Sequence, residues 1–301
     1  MSEGSSHDPS TPQLPLEVSE RVIDHIATGV NIHYVDVKEE SHLLALTSCA
    51  LMCRDWYFLT WYHLRQRIHL RDRKDVLFLS KTLRERPRLR EVVQQVVLSG
   101  TSPGERQPTR HLGTFAAMLV GKAPNITSIT VKDAEWSTGS VRMEDISYLA
   151  AFSTVHTLHI ANVTLSNVAQ LSRVVSALPG LRDLWCINVG CLQKQQVSPV
   201  SLPLNCANLE GLEVLSVAQA VEDLFAQISR ASRVRCLALG VYGEFDPPSA
   251  TSRSQTLLDA SSTSATTVAL HIQVDPSLPV RDGTIETTVG KSSEFSLEPL
   301  D

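Results

Sequence analysis

Val155-His156-Thr157-Leu158-His159-Ile160 is the stretch on which the fold turns. Its apolar residues stand first, fourth and sixth, so Leu158 and Ile160 share one side of an extended chain and His159 points to the other. The same spacing returns as Val93-x-x-Val96-x-Leu98, Ile126-x-x-Ile129-x-Val131, Leu181-x-x-Leu184-x-Cys186, Leu212-x-x-Leu215-x-Val217 and Val234-x-x-Leu237-x-Leu239. A degenerate copy lies around Val268-Ala269-Leu270-His271-Ile272. Starting positions 93, 126, 155, 181, 212, 234 and about 267 are separated by 33, 29, 26, 31, 22 and 33 residues. Upstream, Gln66-Arg67-Ile68-His69-Leu70 alternates like a further strand.

Helical spacing fills the intervals. Asp72 is placed to cap a helix that buries Val76, Leu79 and Leu83 and stops before Pro87. Leu112, Phe115, Ala116 and Leu119 form a second helical face; Leu171, Val174, Val175 and Leu178, after a Ser166 cap, form a third; Val221, Leu224, Phe225 and Ile228 form a fourth. Pro124-Asn125 and Pro179-Gly180 set a helix stop just before a strand. A strand followed by a helix cannot bury its apolar side alone, whereas successive copies stacked together can. Leucine-rich repeats recur at about 20–29 residues and tolerate insertions. The expectation is therefore an irregular leucine-rich-repeat solenoid over residues 63–274, preferred to a doubly wound sheet because the strand spacing keeps one form and no Gly-rich turn follows a strand. The copies carry no invariant Asn. Ile187 to Cys206 reads as a projecting loop, and 275–301, polar and Ser-rich, as a flexible tail.

Composition allows this. The chain has 301 residues, 43% hydrophobic and 20% charged, which suits about two domains with real cores. Net charge is −5, yet residues 54–110 hold 13 Lys/Arg against 6 Asp/Glu. That cluster, interleaved with apolar residues at strand and helix spacing, reads as a solvated face; nucleic-acid binding is the alternative. Residues 1–13 are polar, with the marks of neither a secretory signal nor a membrane anchor, and read as disordered. No apolar run nears the ~20 residues of a membrane span. Six cysteines without a regular framework read as reduced thiols, which places the chain in the cytoplasm or nucleus.

The start of the chain has a different character. Leu14-Pro15-Leu16-Glu17-Val18 opens a helix in which Val18, Val22, Ile23 and Ile26 recur at helical spacing, up to Gly29. Val30 to Ser41 reads as a connection. A second helix carries Leu43, Leu46, Cys49, Ala50, Cys53 and Trp56 as one apolar stripe. The Leu-Pro-x-Glu-Val opening and the close on Cys53-Arg54-Asp55-Trp56 resemble the F-box, and the run from Tyr62 to Leu70 is similar to fungal, basidiomycete-type F-box proteins with degenerate leucine-rich repeats. The resemblance covers residues 14–62. It implies an α/β chain with an N-terminal three-helix F-box followed by the solenoid, and a Skp-family adaptor and cullin complex as partners. It also implies an apolar adaptor-binding set: Leu14, Pro15, Val18, Ile23, Ile26, Leu46, Cys49, Met52, Cys53 and Trp56.

Catalytic chemistry finds no foothold. Cys49 and Cys53 stand four apart without a second pair of metal-ligand spacing. His156 and His159, an odd step apart on a strand, point to opposite faces. Gly121-Lys122 lacks both the earlier glycine and the hydroxyl of a phosphate loop, and no Gly-x-Ser-x-Gly or His-Glu-x-x-His occurs. Asn125-Ile126-Thr127 and Asn162-Val163-Thr164 match the glycosylation sequon by chance. The expected function is that of a non-catalytic substrate-recognition subunit of a Skp–cullin–F-box ubiquitin ligase, without cofactor or metal, the repeats gripping an unknown protein. The alternatives are a repeat-type interaction scaffold without ligase association and nucleic-acid binding through residues 54–110.

Overall fold

A computed structural model describes residues 15–31, 37–102, 104–136, 143–193, 202–242, 249–273 and 294–299. The chain divides into two compact units, Met1–Gln66 and Arg67–Asp301. Among the described residues the first holds three helices, α1 (Leu16–Asn31), α2 (Val37–Met52) and α3 (Arg54–Gln66). Their small core is Ile23, Ala27 and Leu46, with Ile26, Trp56, Leu59 and Leu64 packed on it. Gly29 is not the stop expected of it. A Cβ there would lie 2.6 Å from the His42 ring, so Gly29 serves the close approach of α1 and α2. Both helices also run into the expected connection.

Among the described residues the second unit is one sheet of ten strands. Nine follow chain order: β1 (Arg67–Leu70), β2 (Gln95–Ser99), β4 (Ser128–Trp136), β5 (Thr157–Leu165), β6 (Asp183–Cys191), β7 (Gly211–Leu215), β8 (Cys236–Tyr242), β9 (Thr267–Gln273) and β10 (Glu294–Pro299). The short β3 (Gln107–Pro108) pairs with β4 off this path. Every pairing is parallel. The order never reverses, so the sheet lacks the switch-point crevice of a doubly wound fold. Between strands run α4 (Arg73–Glu85), α5 (His111–Leu119), α6 (Met143–Ser147), α7 (Val168–Ser176), α8 (Gln219–Ala231) and α9 (Ser249–Ser261).

This corrects the expected architecture. In place of an F-box bundle followed by an irregular leucine-rich-repeat solenoid, the chain is an α/β protein organised on one continuous parallel sheet with flanking helices. The physical reason is that apolar residues at places one, four and six mark a strand with one buried side. That demand is common to any sheet covered by helices, and it selects no particular curvature or stacking.

The ladder itself is regular. Val96, Ile129, Leu158, Leu184, Leu212, Leu237 and Val268 are cross-strand partners in succession, and so are Leu98, Val131, Ile160, Cys186, Val214, Leu239 and Leu270. All fourteen are buried. The register moves one copy: its apolar set is Leu209, Leu212 and Val214, three residues before the expected start. With Leu209 as its start, the steps from 155 to 181, 209 and 234 become 26, 28 and 25.

Helix ends follow local chemistry. The Asp72 carboxylate accepts from Asp75 N–H at 2.9 Å and caps α4, whose Val76, Leu79 and Leu83 are buried. The cap of α7 is Asn167, not Ser166: Asn167 Oδ1 accepts from Gln170 N–H at 3.2 Å, while the Ser166 hydroxyl donates to the Trp136 carbonyl. Two loops differ from expectation. Ile187–Cys191 continues β6, with 194–201 outside the described residues, and 294–299, within the expected tail, forms β10.

Candidate functional site

The helices of the first unit carry more apolar surface than their core can use. On α1, Ser19, Ile23 and Ala27 are buried, whereas Val18 and Val22, one turn apart on another face, are exposed with Leu16. Leu46 of α2 is buried, while Leu44 and Leu51, two turns apart, are 63% and 83% exposed. Thr60 of α3 is buried, its hydroxyl donating to the Trp56 carbonyl at 2.7 Å; Phe58 and Tyr62, four apart, are exposed with Tyr57. His63 Nε2 lies 3.1 Å from Asp24 Oδ1 and ties α3 to α1. Each of the three helices thus leaves large apolar side chains in solvent, and exposed apolar surface beyond scattered single residues is what interaction sites show.

The structure sorts the expected adaptor set by exposure. Ile23 and Leu46 are core, and Ile26 and Trp56 pack on that core. Pro15, Val18, Met52 and Cys53 are exposed, and Cys49 is half-buried. Leu14 lies outside the described residues. The second helix does not carry the stripe to Trp56: α2 ends at Met52, Cys53 is non-helical, and α3 starts at Arg54. The turn puts the Cys53 thiol in solvent instead of on an apolar stripe. Exposed Leu44, Leu51, Phe58 and Tyr62 were not singled out by spacing, because a stripe pattern reports the side facing the core. Their signal was a surplus of large apolar residues in short helices.

The second unit has a different surface. On the sheet side opposite Leu158 and Ile160, the residues between the ladder positions line up as His69, Val97, Thr130, His159, Trp185, Glu213 and Ala238. His159 meets Trp185 ring to edge, centroids 4.1 Å apart at 68°. Burial raises the Glu213 carboxyl to about 7. Burial, with the charges of Arg67, Lys132 and Arg71, lowers His69 to about 4. Cys186, on the other side of the sheet, is buried and held as a thiol by desolvation and by Glu213.

Where β4, β5 and β6 pass the ladder, Asp133, Asn162 and Asn188 all adopt φ of 52° and drop out of the pairing; Ser216 follows β7 with the same φ. Each extra residue resets the alternation, so Ala134 and Trp136 or Val163 and Leu165 return to the core. The side chains form a chain of their own: Asn188 Nδ2 donates to Asn162 Oδ1 at 3.1 Å, and Asn162 Nδ2 to Asp133 Oδ1 at 2.8 Å. Arg106 lies across it, donating to Asn162 Oδ1, Thr164 Oγ1 and both Asn188 oxygens at 2.9–3.1 Å. The second sequon asparagine is thus engaged within the protein.

The basic segment is not a single strip. Arg54 lies over Phe58 and Arg65 over Trp61, at 5.7 and 5.1 Å. Arg90 Nε donates to the Leu83 carbonyl at 2.8 Å, whereas Arg73, Lys74, Arg84, Arg86 and Arg88 are exposed on α4 and the turn after it. His156 is exposed and bonded to Thr157 Oγ1, so it does not join His159. Among the described residues no group of His, Cys, Asp or Glu is placed to hold a metal ion, and no helix is long and apolar enough to cross a membrane. No protein-family model and no curated protein matches the sequence.

Proposed function

We propose that the chain is a non-catalytic substrate-recognition subunit of a Skp–cullin–F-box ubiquitin ligase, working in the cytosol or nucleus. The N-terminal helices dock on a Skp-family adaptor, and the sheet unit holds a target protein. The observation that carries the reading is the exposure of Val18, Val22, Leu44, Leu51, Met52 and Phe58 on three short helices with a small core. Covering one such side chain is worth ~1.5–3 kcal/mol, so a partner that buries several of them gains a stable seat. The resemblance of the sequence at residues 14–62 to the F-box supports a Skp-family adaptor as that partner. The mechanism is positional: tethering holds the target beside the ubiquitin-loaded enzyme and raises its effective concentration.

Co-purification with a purified Skp-family adaptor tests it. Wild type retains the adaptor. Val18→Asp and Leu51→Asp, exposed positions whose change leaves circular dichroism unaltered, lose it. The reading fails if wild type recovers no adaptor, or if both variants recover as much as wild type.

A further inference from the structure

Glu213 sits at the centre of β7, in register with Trp185 on β6 and Ala238 on β8. Its carboxylate has no hydrogen-bond or ion-pair partner among the described residues, and it is half-buried. A carboxylate withdrawn from water without a counter-charge is unfavourable and accepts a cation readily. The residue two before it is Gly211, over which the Asp183 carboxylate lies, and its neighbour on β8 is Ala238, so no long side chain screens it at that register position. Beside it stands Trp185, half-buried and oriented by the His159 ring. An indole next to a carboxylate attracts a cation twice, through the ring face and through the charge.

We propose that the row His159, Trp185 and Glu213, on the sheet side opposite the Leu158–Ile160 core, seats a lysine or arginine side chain of the bound protein. Charge complementarity selects this occupant. Asp183 lies on the same side of β6, near enough to Gly211 that a Cβ there would strike its carboxylate. Among the described residues no cation perturbs Glu213, whose carboxyl is raised by burial. The other titratable groups on the neighbouring strands are His159 on β5, Cys186 and Cys191 on β6, and Cys236 and Tyr242 on β8. The proposal rests on the reading of the sheet unit as the target-binding part.

The probe is acetyl-Gly-Gly-Arg-Gly-Gly amide, titrated into the full chain without adaptor and followed by the indole N–H resonance of Trp185, assigned with Trp185→Phe. The expected result is a saturable shift that the Glu-centred peptide does not produce. The isosteric Glu213→Gln weakens binding at least tenfold. In wild type alone, affinity falls roughly tenfold from pH 8 to pH 6, as a carboxyl of pKa about 7 takes up its proton. The pH series needs no variant, so a misfolded Glu213→Gln leaves the test intact. No shift, an equal shift with the Glu-centred peptide, or pH-independent affinity overturns the proposal. Because adaptor is absent, such a failure strikes the cation seat alone; lost adaptor recovery strikes the ligase reading alone.

Discussion

At the scale of single residues, two unlike demands meet on the same strands. Leu158 and Ile160 face the helices and are wholly buried, and their spacing announced them. Glu213 and Trp185 face the other way, and nothing in the spacing marks them, because a polar residue between two apolar ones is what any half-covered strand shows. What sets Glu213 apart is partial burial without a partner among the described residues, a property of its neighbours. It has a measurable consequence. Its carboxyl stands at about 7 in the fold against 4.5 when unfolded, so the protonated form is the one the fold favours. Wild type therefore loses stability as pH rises from about 4.5 through about 7, and Glu213→Gln does not. Urea denaturation at pH 5 and pH 8 should show the variant gaining on wild type at the higher pH, by at most about 3 kcal/mol. A gap that is the same at both pH values speaks against the desolvated carboxylate.

At the scale of elements, the strands and most helices were legible and their limits were not. The copy at Leu209 was displaced by three residues because Leu212, Leu215 and Val217 mimic its spacing; only cross-strand register separates the two. The second helix ran on past Cys53 in the sequence because Trp56 keeps the apolar step, though α3 starts anew at Arg54. The strand extensions beyond Val131, Ile160 and Cys186 were hidden by a change of alternation at Asp133, Asn162 and Asn188. Asparagine stands at only two of these positions, Asn162 and Asn188, with Asp133 and Ser216 at the equivalent others, so a search for an invariant asparagine fails; left-handed backbone is adopted by Asp as well as by Asn. Asn162 holds both the backbone turn and the side-chain chain. Asn162→Gly keeps the turn and loses the hydrogen bonds; Asn162→Ala loses both and should be the less stable by ~1–2 kcal/mol. Equal denaturation midpoints for the two would remove backbone strain from the account.

At the scale of the whole molecule, the two units differ in what holds them. The first has a buried core of three residues, Ile23, Ala27 and Leu46, and a surplus of apolar surface. The second has ladders of buried aliphatics running through most of its sheet. Small cores are marginal. Hydrogen exchange should therefore be faster in α1–α3 than in β4–β6, and adaptor should slow it in α1–α3. Uniform protection across both units would contradict this. The sheet's path in chain order has a further consequence. Since each long strand is hydrogen-bonded to its nearest long strands along the chain, closing any one pair links stretches only a few dozen residues apart. Such a protein need not search for distant partners as it forms; it can begin wherever two adjacent stretches first meet and grow outward from there.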